Sequence, residues 1–223
     1  MACTDHDHTV PKFTPTSEEN NLVEFIDVAN VKILNSFIKP NGKSKEDFLN
    51  LSLPENNEKI TLESDCDNQI LLIIPFLTNV TLYSILLETK DSEGTLKHLN
   101  LFNNLNESFN DFNSVSRREP DQSTEIIHNS TTVPEYPLDR VRIFKNCNKL
   151  HIFLPDNMED DEDLITRITY LEIRGEPSNK KTNNGLDANL TTKVFLKDAT
   201  FESLGNPKDH KKVEQNNSAI MEL

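Results

Sequence analysis

Residues 69–76 read Gln69-Ile70-Leu71-Leu72-Ile73-Ile74-Pro75-Phe76, and the architecture can be worked out from this stretch. Successive side chains of a strand point to opposite sides, so a run that is apolar at every position has both of its faces buried. The stretch therefore predicts a strand in the middle of a sheet that is covered on both sides.

Other short runs along the chain have strand character and are separated by segments rich in Asn, Asp, Ser and Pro. They are residues 80–87, 96–102, 140–144, 150–154 and 166–174. No long segment with helical periodicity lies between them, which argues against a parallel α/β sheet. The chain is therefore predicted to be all-β.

Several of these runs alternate charged and apolar residues. In residues 140–143 and 149–154, and again around Leu171 and Ile173, every second side chain is apolar. This pattern predicts strands with one buried face and one solvated face, with Tyr170, Glu172 and Arg174 on the solvated side. Half-buried strands beside a doubly buried one predict two packed antiparallel sheets, which form a β-sandwich.

The two ends of the chain differ from this middle region. Residues 1–21 are predicted to be a polar, His-containing tail, residues 22–200 the sandwich domain, and residues 201–223 a mobile C-terminal tail. Near the start of the domain, residues 23–26 predict a short strand. Val28, Val31 and Leu34 are spaced by three residues and predict a brief helix.

Composition narrows the possible partners and compartments. The formal net charge of -14 disfavours nucleic acid and anionic membranes, and no apolar run is long enough for a membrane helix. Three widely separated cysteines form neither a disulfide framework nor a C-x-x-C redox pair. We expect a protein that stays inside the cell and is a monomer when free.

Motifs for catalysis and cofactor binding are missing from the sequence. It has no G-x-S-x-G nucleophile elbow, no phosphate-binding P-loop and no G-x-G-x-x-G turn, and it contains only 5 glycines. The sequence therefore predicts a protein that is not an enzyme and takes no cofactor.

Two groups of residues could in principle hold a metal ion. Cys3, His6 and His8 offer zinc-ligand chemistry, and the acidic run at residues 159–163 offers oxygen ligands for calcium. The first group lacks an evident fourth ligand, and the second does not match EF-hand spacing. A solvated tail and a charged surface loop are the favoured interpretations, and no metal site is predicted.

A mixed-charge cluster between strands is a candidate contact surface. Residues 117–122 read Arg117-Arg118-Glu119-Pro120-Asp121-Gln122 and present two guanidinium groups that can bind carboxylates through paired hydrogen bonds. Arginine is enriched at protein interfaces, although an ordinary polar loop would have the same composition.

Four strings, in this order along the chain, resemble PITH domains, the proteasome-interacting domains of thioredoxin-like proteins. The first joins Leu62-Glu63-Ser64-Asp65-Cys66-Asp67-Asn68-Gln69 to Leu71-Leu72-Ile73-Ile74-Pro75-Phe76; the others are Arg118-Glu119-Pro120-Asp121-Gln122, Leu150-His151-Ile152-Phe153 and Tyr170-Leu171-Glu172-Ile173-Arg174-Gly175-Glu176. The resemblance covers about residues 22–212. It departs from the family in the tail, with only His6 and His8, and in the lengthened acidic loop.

The resemblance implies a jelly-roll sandwich of the galactose-binding-like type that docks on the proteasome regulatory particle, in the cytoplasm and nucleus. The partner-binding residues that we predict on this basis are Arg117, Arg118, Glu119, Asp121, Gln122, Asp209 and His210. An alternative function is a carbohydrate- or small-ligand-binding sandwich module, although the chain has no Trp to form a sugar-binding face.

Overall fold

Strand β4 runs through the whole architecture, and the other elements are arranged around it. The computed structural model describes residues 15–52, 59–89, 95–128 and 130–178. Within these ranges the strands are β1 Lys32–Leu34, β2 Ser36–Lys39, β3 Thr61–Ser64, β4 Ile70–Thr89, β5 His98–Asn103, β6 Gln122–Glu125, β7 Glu135–Pro137, β8 Cys147–Leu154 and β9 Arg167–Pro177. The α-helices are α1 Lys45–Leu49 and α2 Phe112–Ser116.

The two halves of β4 belong to different layers. Its first half pairs with β1 on one side and β8 on the other, and β8 continues to β5 and β6. Its second half pairs with β7 and β9, and β9 continues to β3 and β2. All these pairings are antiparallel, and the register shifts between Pro75 and Val80, where the strand passes from one layer to the other. We call the two layers the β8 layer and the β9 layer.

The main core lies between the two layers. Ile70, Leu72 and Ile74 of β4 belong to the same buried cluster as Leu171 and Ile173 of β9. A second buried cluster covers the opposite face of the β8 layer, with Leu71, Ile73, Phe102 and Phe153 packed under Leu105 and Val115 of residues 104–118. We call residues 104–118 the covering segment. The predicted central strand is therefore buried on both faces, as its composition indicates.

The structure confirms the antiparallel, all-β sandwich but corrects several local predictions. Residues 140–144 are a turn, because Asp139 Oδ1 accepts the N–H groups of Val141 and Arg142 and Asp139 O accepts that of Phe144. The predicted strand at residues 23–26 is wrong, because Val23–Phe25 forms a 3-10 helix.

The predicted helix at residues 28–34 is also only partly correct. A single 3-10 turn, Val28–Asn30, is followed at once by β1, which pairs with β4 from Lys32 to Leu34. Residues 80–87 were predicted as a separate strand but are the second half of β4. Among the described residues, no helix is long and apolar enough to cross a membrane.

Gly175 fits the close approach of β9 to the second half of β4. A Cβ at this position would overlap Thr81 O and would lie 2.9 Å from Leu22 Cδ1. The backbone of β4 therefore leaves no room for a side chain here, and only glycine fits without movement of the strand.

Candidate partner-binding rim

The predicted contact loop begins where α2 ends. Asp111 caps the start of α2 by accepting a hydrogen bond from Ser114 N at 2.9 Å, and Arg117 is the C-cap residue. The Arg118 guanidinium lies 5.5 Å from the centre of the Phe109 ring and 3.6 Å from Asp121 Oδ1. Both arginine side chains are exposed.

Asp121 and Gln122 hold the loop in place. Asp121 Oδ2 accepts a hydrogen bond from Asn103 N at 2.7 Å. Gln122 Nε2 donates to Pro137 O at 2.8 Å, and Gln122 Oε1 accepts from Asp139 N at 3.1 Å. These two residues, predicted as partner contacts, therefore fix the backbone that presents the arginines. Their contact with a partner stays a prediction, as does that of the exposed Glu119.

Two asparagines join the loop to the turn at residues 139–146. Asn103 Nδ2 donates to Ile143 O at 2.6 Å, and Asn104 Nδ2 donates to Asn146 O at 3.0 Å. Asn104 Oδ1 also accepts from Asn148 N at 2.8 Å. Asn104 has a φ of 55° and Asn146 a φ of 59°, a left-handed conformation that asparagine tolerates better than most residues. The loop and the turn thus form one connected surface.

This surface carries an excess of positive charge and one large exposed apolar side chain. Val141 is 75% exposed at the tip of the turn. Arg140 lies over the Tyr83 ring at 5.0 Å, and burial, helped by Glu176, raises the pKa of Tyr83 to about 12. The exposed basic residues of this surface, which we call the basic rim, are Arg117, Arg118, Arg140, Arg142 and Lys145. Arg140 and Arg142 could not be assigned from the sequence, which predicted a strand at residues 140–144, and Lys145 was not singled out.

A second polar site lies on the outer face of the β9 layer. Glu172 and Arg174 were predicted to face solvent, but they are only 4% and 7% exposed. Arg174 Nε donates to Glu172 Oε1 at 2.6 Å, Arg174 NH1 donates to Thr16 O at 2.6 Å, and Tyr170 OH donates to Glu172 Oε2 at 2.6 Å. Residues N-terminal to the sandwich therefore cover this face, which the alternation pattern cannot show.

A cavity of about 580 Å³ opens beside this pair, between β9 and the N-terminal residues. Glu18, Glu19 and Glu24 contribute carboxylates to its wall, together with Glu172. Burial opposes the charge on Arg174, but the hydrogen bond and negative charge of Glu172 raise the arginine pKa overall. Burial and the same carboxylate raise the pKa of Tyr170. The guanidinium is thus already paired inside the protein.

Two histidines of the sandwich, His98 and His151, have structural contacts. His98 Nδ1 lies 2.6 Å from Asp156 Oδ2, and His151 Nε2 lies 3.1 Å from Asn110 Oδ1. His151 is fully buried, and burial together with the charge of Lys149 lowers its pKa to about 4.

Within the described ranges, no group of three or more His, Cys, Asp or Glu side chains could hold a metal ion. The acidic run at residues 159–163 is exposed.

Cys3, His6 and His8 lie outside the described residues, and so do the predicted contact residues Asp209 and His210.

Comparison with known proteins assigns the family. The PITH domain family model matches residues 13–192. This chain belongs to the PITH domain family. PITH domain-containing protein 1 of Xenopus laevis is 30% identical over 86% of this chain and 82% of its own length, and the Danio rerio protein of the same name is 28% identical over the same shares. Thioredoxin-like protein 1 of Schizosaccharomyces pombe is 37% identical over 55% of this chain and 42% of its own length.

Solved structures share a more distant likeness with this PITH protein. A CBM32 module from a family 31 glycoside hydrolase of Clostridium perfringens aligns with a TM-score of 0.40 and 13% identity, over 69% of this chain and 96% of the module. The lectin domain of lectinolysin aligns with a TM-score of 0.38 and 6% identity, over 64% of this chain and 89% of that domain. Scores at this level say nothing about what the chain binds.

Proposed function

We propose that this PITH protein is a non-catalytic docking module that binds the proteasome regulatory particle, in the cytoplasm and nucleus, and is a monomer when free. The basic rim would be the contact surface. The observation that carries the proposal is that the basic rim has five exposed cations together with the exposed Val141, on a chain whose formal net charge is -14.

The rim has the composition of a protein-binding patch. Arginine supplies planar donors that bind carboxylates in pairs, and the apolar tip at Val141 offers surface that gains free energy when a partner removes it from water. The hydrogen bonds of Asn103, Asn104 and Gln122 hold the two segments before binding. Less conformational entropy is then lost when the partner docks.

The relationship to Thioredoxin-like protein 1 of Schizosaccharomyces pombe supports a role in attachment. That relative is longer than the region it shares with this chain, and its name describes a thioredoxin-like protein. The present sequence contains no C-x-x-C pair. We propose that the PITH domain attaches this chain to the proteasome regulatory particle without bringing redox activity to it.

Affinity purification tests the proposal. Tagged protein, captured from cells under gentle salt, is expected to bring regulatory-particle subunits with it. Reversal of both rim arginines, Arg117→Glu with Arg118→Glu, is expected to weaken this capture at least about tenfold. The Arg118 pair with Asp121 is exposed and contributes little to folding, so the variant should remain folded.

A matched variant controls for the change in net charge. Lys32→Glu with Lys59→Glu reverses two exposed cations outside the rim, so the net charge changes by the same amount, and this variant is expected to leave the capture unchanged. If no regulatory-particle subunit is captured by the unaltered protein, the proposed function is wrong. If capture survives reversal of Arg117 and Arg118 but is lost with Arg140→Glu and Arg142→Glu, the partner contacts the turn and not the predicted loop.

A further inference from the structure

A groove lies at the open edge of the sandwich, between the edge strands of the two layers. Its volume is about 510 Å³. Ile33 and Leu34 of β1 form part of one wall, and Ser36, Phe37 and Ile38 of β2 form part of the other. Phe37 is 37% exposed, and Lys39 Nζ lies 5.0 Å from the centre of its ring. The groove is large enough to take two or three side chains.

Both strands beside the groove have an unpaired side. Among the described residues, β1 pairs only with β4 and β2 pairs only with β3. An edge strand presents N–H and C=O groups that can bond to an added strand. β2 spans four residues, Ser36–Lys39, and Pro40 follows it, so an added strand would be short.

A polar atom inside the groove also lacks a partner. Ser36 Oγ is buried and, within the described part of the chain, accepts and donates no hydrogen bond. A buried hydroxyl without a partner is less stable than a satisfied one.

The groove is basic in an acidic protein. Lys32, Lys43 and Lys45 line the groove, and among the described residues that line it none is an aspartate or a glutamate. Lys45 Nζ donates to Ala29 O at 3.1 Å and to Val31 O at 2.7 Å, so these two contacts hold its charge beside the groove without a carboxylate. An anionic ligand is therefore attracted here, although the protein as a whole repels anions.

We propose that this groove binds a short extended segment of another protein in which acidic side chains alternate with apolar ones. The segment adds a strand to β2, places its apolar side chains against Phe37 and Ile33, and places a carboxylate near Lys32. This site is separate from the basic rim and does not depend on the proposed function. A second copy cannot pair β2 with β2 easily, because both edges carry Lys39.

Fluorescence anisotropy with a defined probe tests the proposal. The probe is a fluorescein-labelled peptide in which aspartate alternates with valine, titrated with the full chain. Binding is expected for this peptide, and little or none for the same peptide with lysine in place of aspartate or with a central proline. Hydrogen exchange should show new protection at β1 and β2. Equal binding of the three peptides, or protection centred on residues 139–149, would overturn the proposal.

Variants of the groove distinguish binding at β1 and β2 from binding at the basic rim. Lys32→Glu and Phe37→Asp are each expected to weaken peptide binding at least about tenfold, whereas Lys145→Glu on the basic rim should leave it unchanged. Weaker binding at higher NaCl is expected for the unaltered protein. Competition by a single-stranded DNA would show that the groove binds nucleic acid. A dimer that is lost in Lys32→Glu would show that the groove binds a second copy of this chain. Either result would overturn the assignment.

Discussion

The outer faces of the two layers are both covered, but by opposite kinds of side chain. On the β8 layer, Phe153 packs with apolar residues of the covering segment, and the Phe112 ring lies 6.1 Å from the Phe153 ring. On the β9 layer, Glu172 and Arg174 form a buried ion pair under N-terminal residues. One face is closed by removing apolar surface from water, and the other by pairing charges that have left water.

The two solutions differ in their energetic consequences. Apolar packing gains free energy roughly in proportion to the buried area. A buried ion pair gains little, because the cost of removing both charges from water offsets their attraction, but the loss of one partner alone is severe. We therefore expect the β8 face to contribute to stability and the β9 face to specify how the N-terminal residues are placed.

The largest loss of stability is expected when the apolar face is damaged. Phe153→Ala removes a side chain that is 3% exposed from under the covering segment, and we expect the free energy of unfolding to fall by about 4 kcal/mol. Urea denaturation followed by circular dichroism measures the change. Phe37→Ala makes the same substitution at a 37% exposed position and should cost less than about 1 kcal/mol. Equal losses in the two variants would contradict the packing difference.

Breaking the ion pair should cost somewhat less. Among the described residues, Arg174→Met leaves Glu172 buried with only the Tyr170 hydroxyl to stabilise its charge, and we expect a loss of about 3 kcal/mol in the same denaturation assay. The double variant Arg174→Met with Glu172→Leu removes both charges. It is expected to recover at least half of that loss. A double variant as unstable as the single one would mean that the pair itself stabilises the fold.

The sequence shows the layers more clearly than it shows what covers them. Five consecutive aliphatic residues at 70–74 require burial on both sides, and this was predicted correctly. Glu172 and Arg174 alternate with apolar residues just as a solvated face would, so their burial could not be predicted. His151 alternates with Leu150 and Ile152 in the same way, and it too is fully buried. Local alternation cannot reveal segments that are distant in sequence and fold over a sheet.

The candidate rim was predicted in part for a related reason. Arg117 and Arg118 stood out as a charged loop between strands, and both are exposed. Arg140 and Arg142 alternate with Val141 and Ile143, which favours a strand by periodicity. Asp139 overrides this pattern, because its side chain accepts the N–H groups of the next turn. Hydrophobic periodicity cannot show that a single side chain accepts backbone N–H groups and turns the chain in this way.

The buried histidine makes the β8 face sensitive to acid. Because the folded-state pKa of His151 is lowered to about 4 from 6.5, the unfolded chain binds the extra proton first. The contribution of neutral His151 is complete above pH 6.5 and is lost as the pH falls toward 4. Between pH 7 and pH 5 we expect a loss of about 2 kcal/mol from this residue.

The variant His151→Leu isolates the effect, since it cannot bind a proton. Denaturation curves at a series of pH values should show a shallower loss of stability in the variant than in the unaltered protein over this range. Parallel pH profiles would mean that the covering segment opens enough to solvate the ring, and the β8 face would then be less tightly closed than the β9 face.

The smallest effect is expected from the hydroxyl that joins Tyr170 to the ion pair. Tyr170→Phe removes a hydrogen bond of 2.6 Å to Glu172 Oε2 while the ring and the Arg174 contacts remain, and we expect a loss of about 1 kcal/mol. The same substitution made together with Arg174→Met and Glu172→Leu should cost almost nothing, because the acceptor is gone. Comparison of the two losses in urea gives the coupling between the hydroxyl and the carboxylate. Equal losses with and without the ion pair would mean that the Tyr170 hydroxyl stabilises the β9 face through another contact. The buried pair of Glu172 and Arg174 would then not depend on Tyr170.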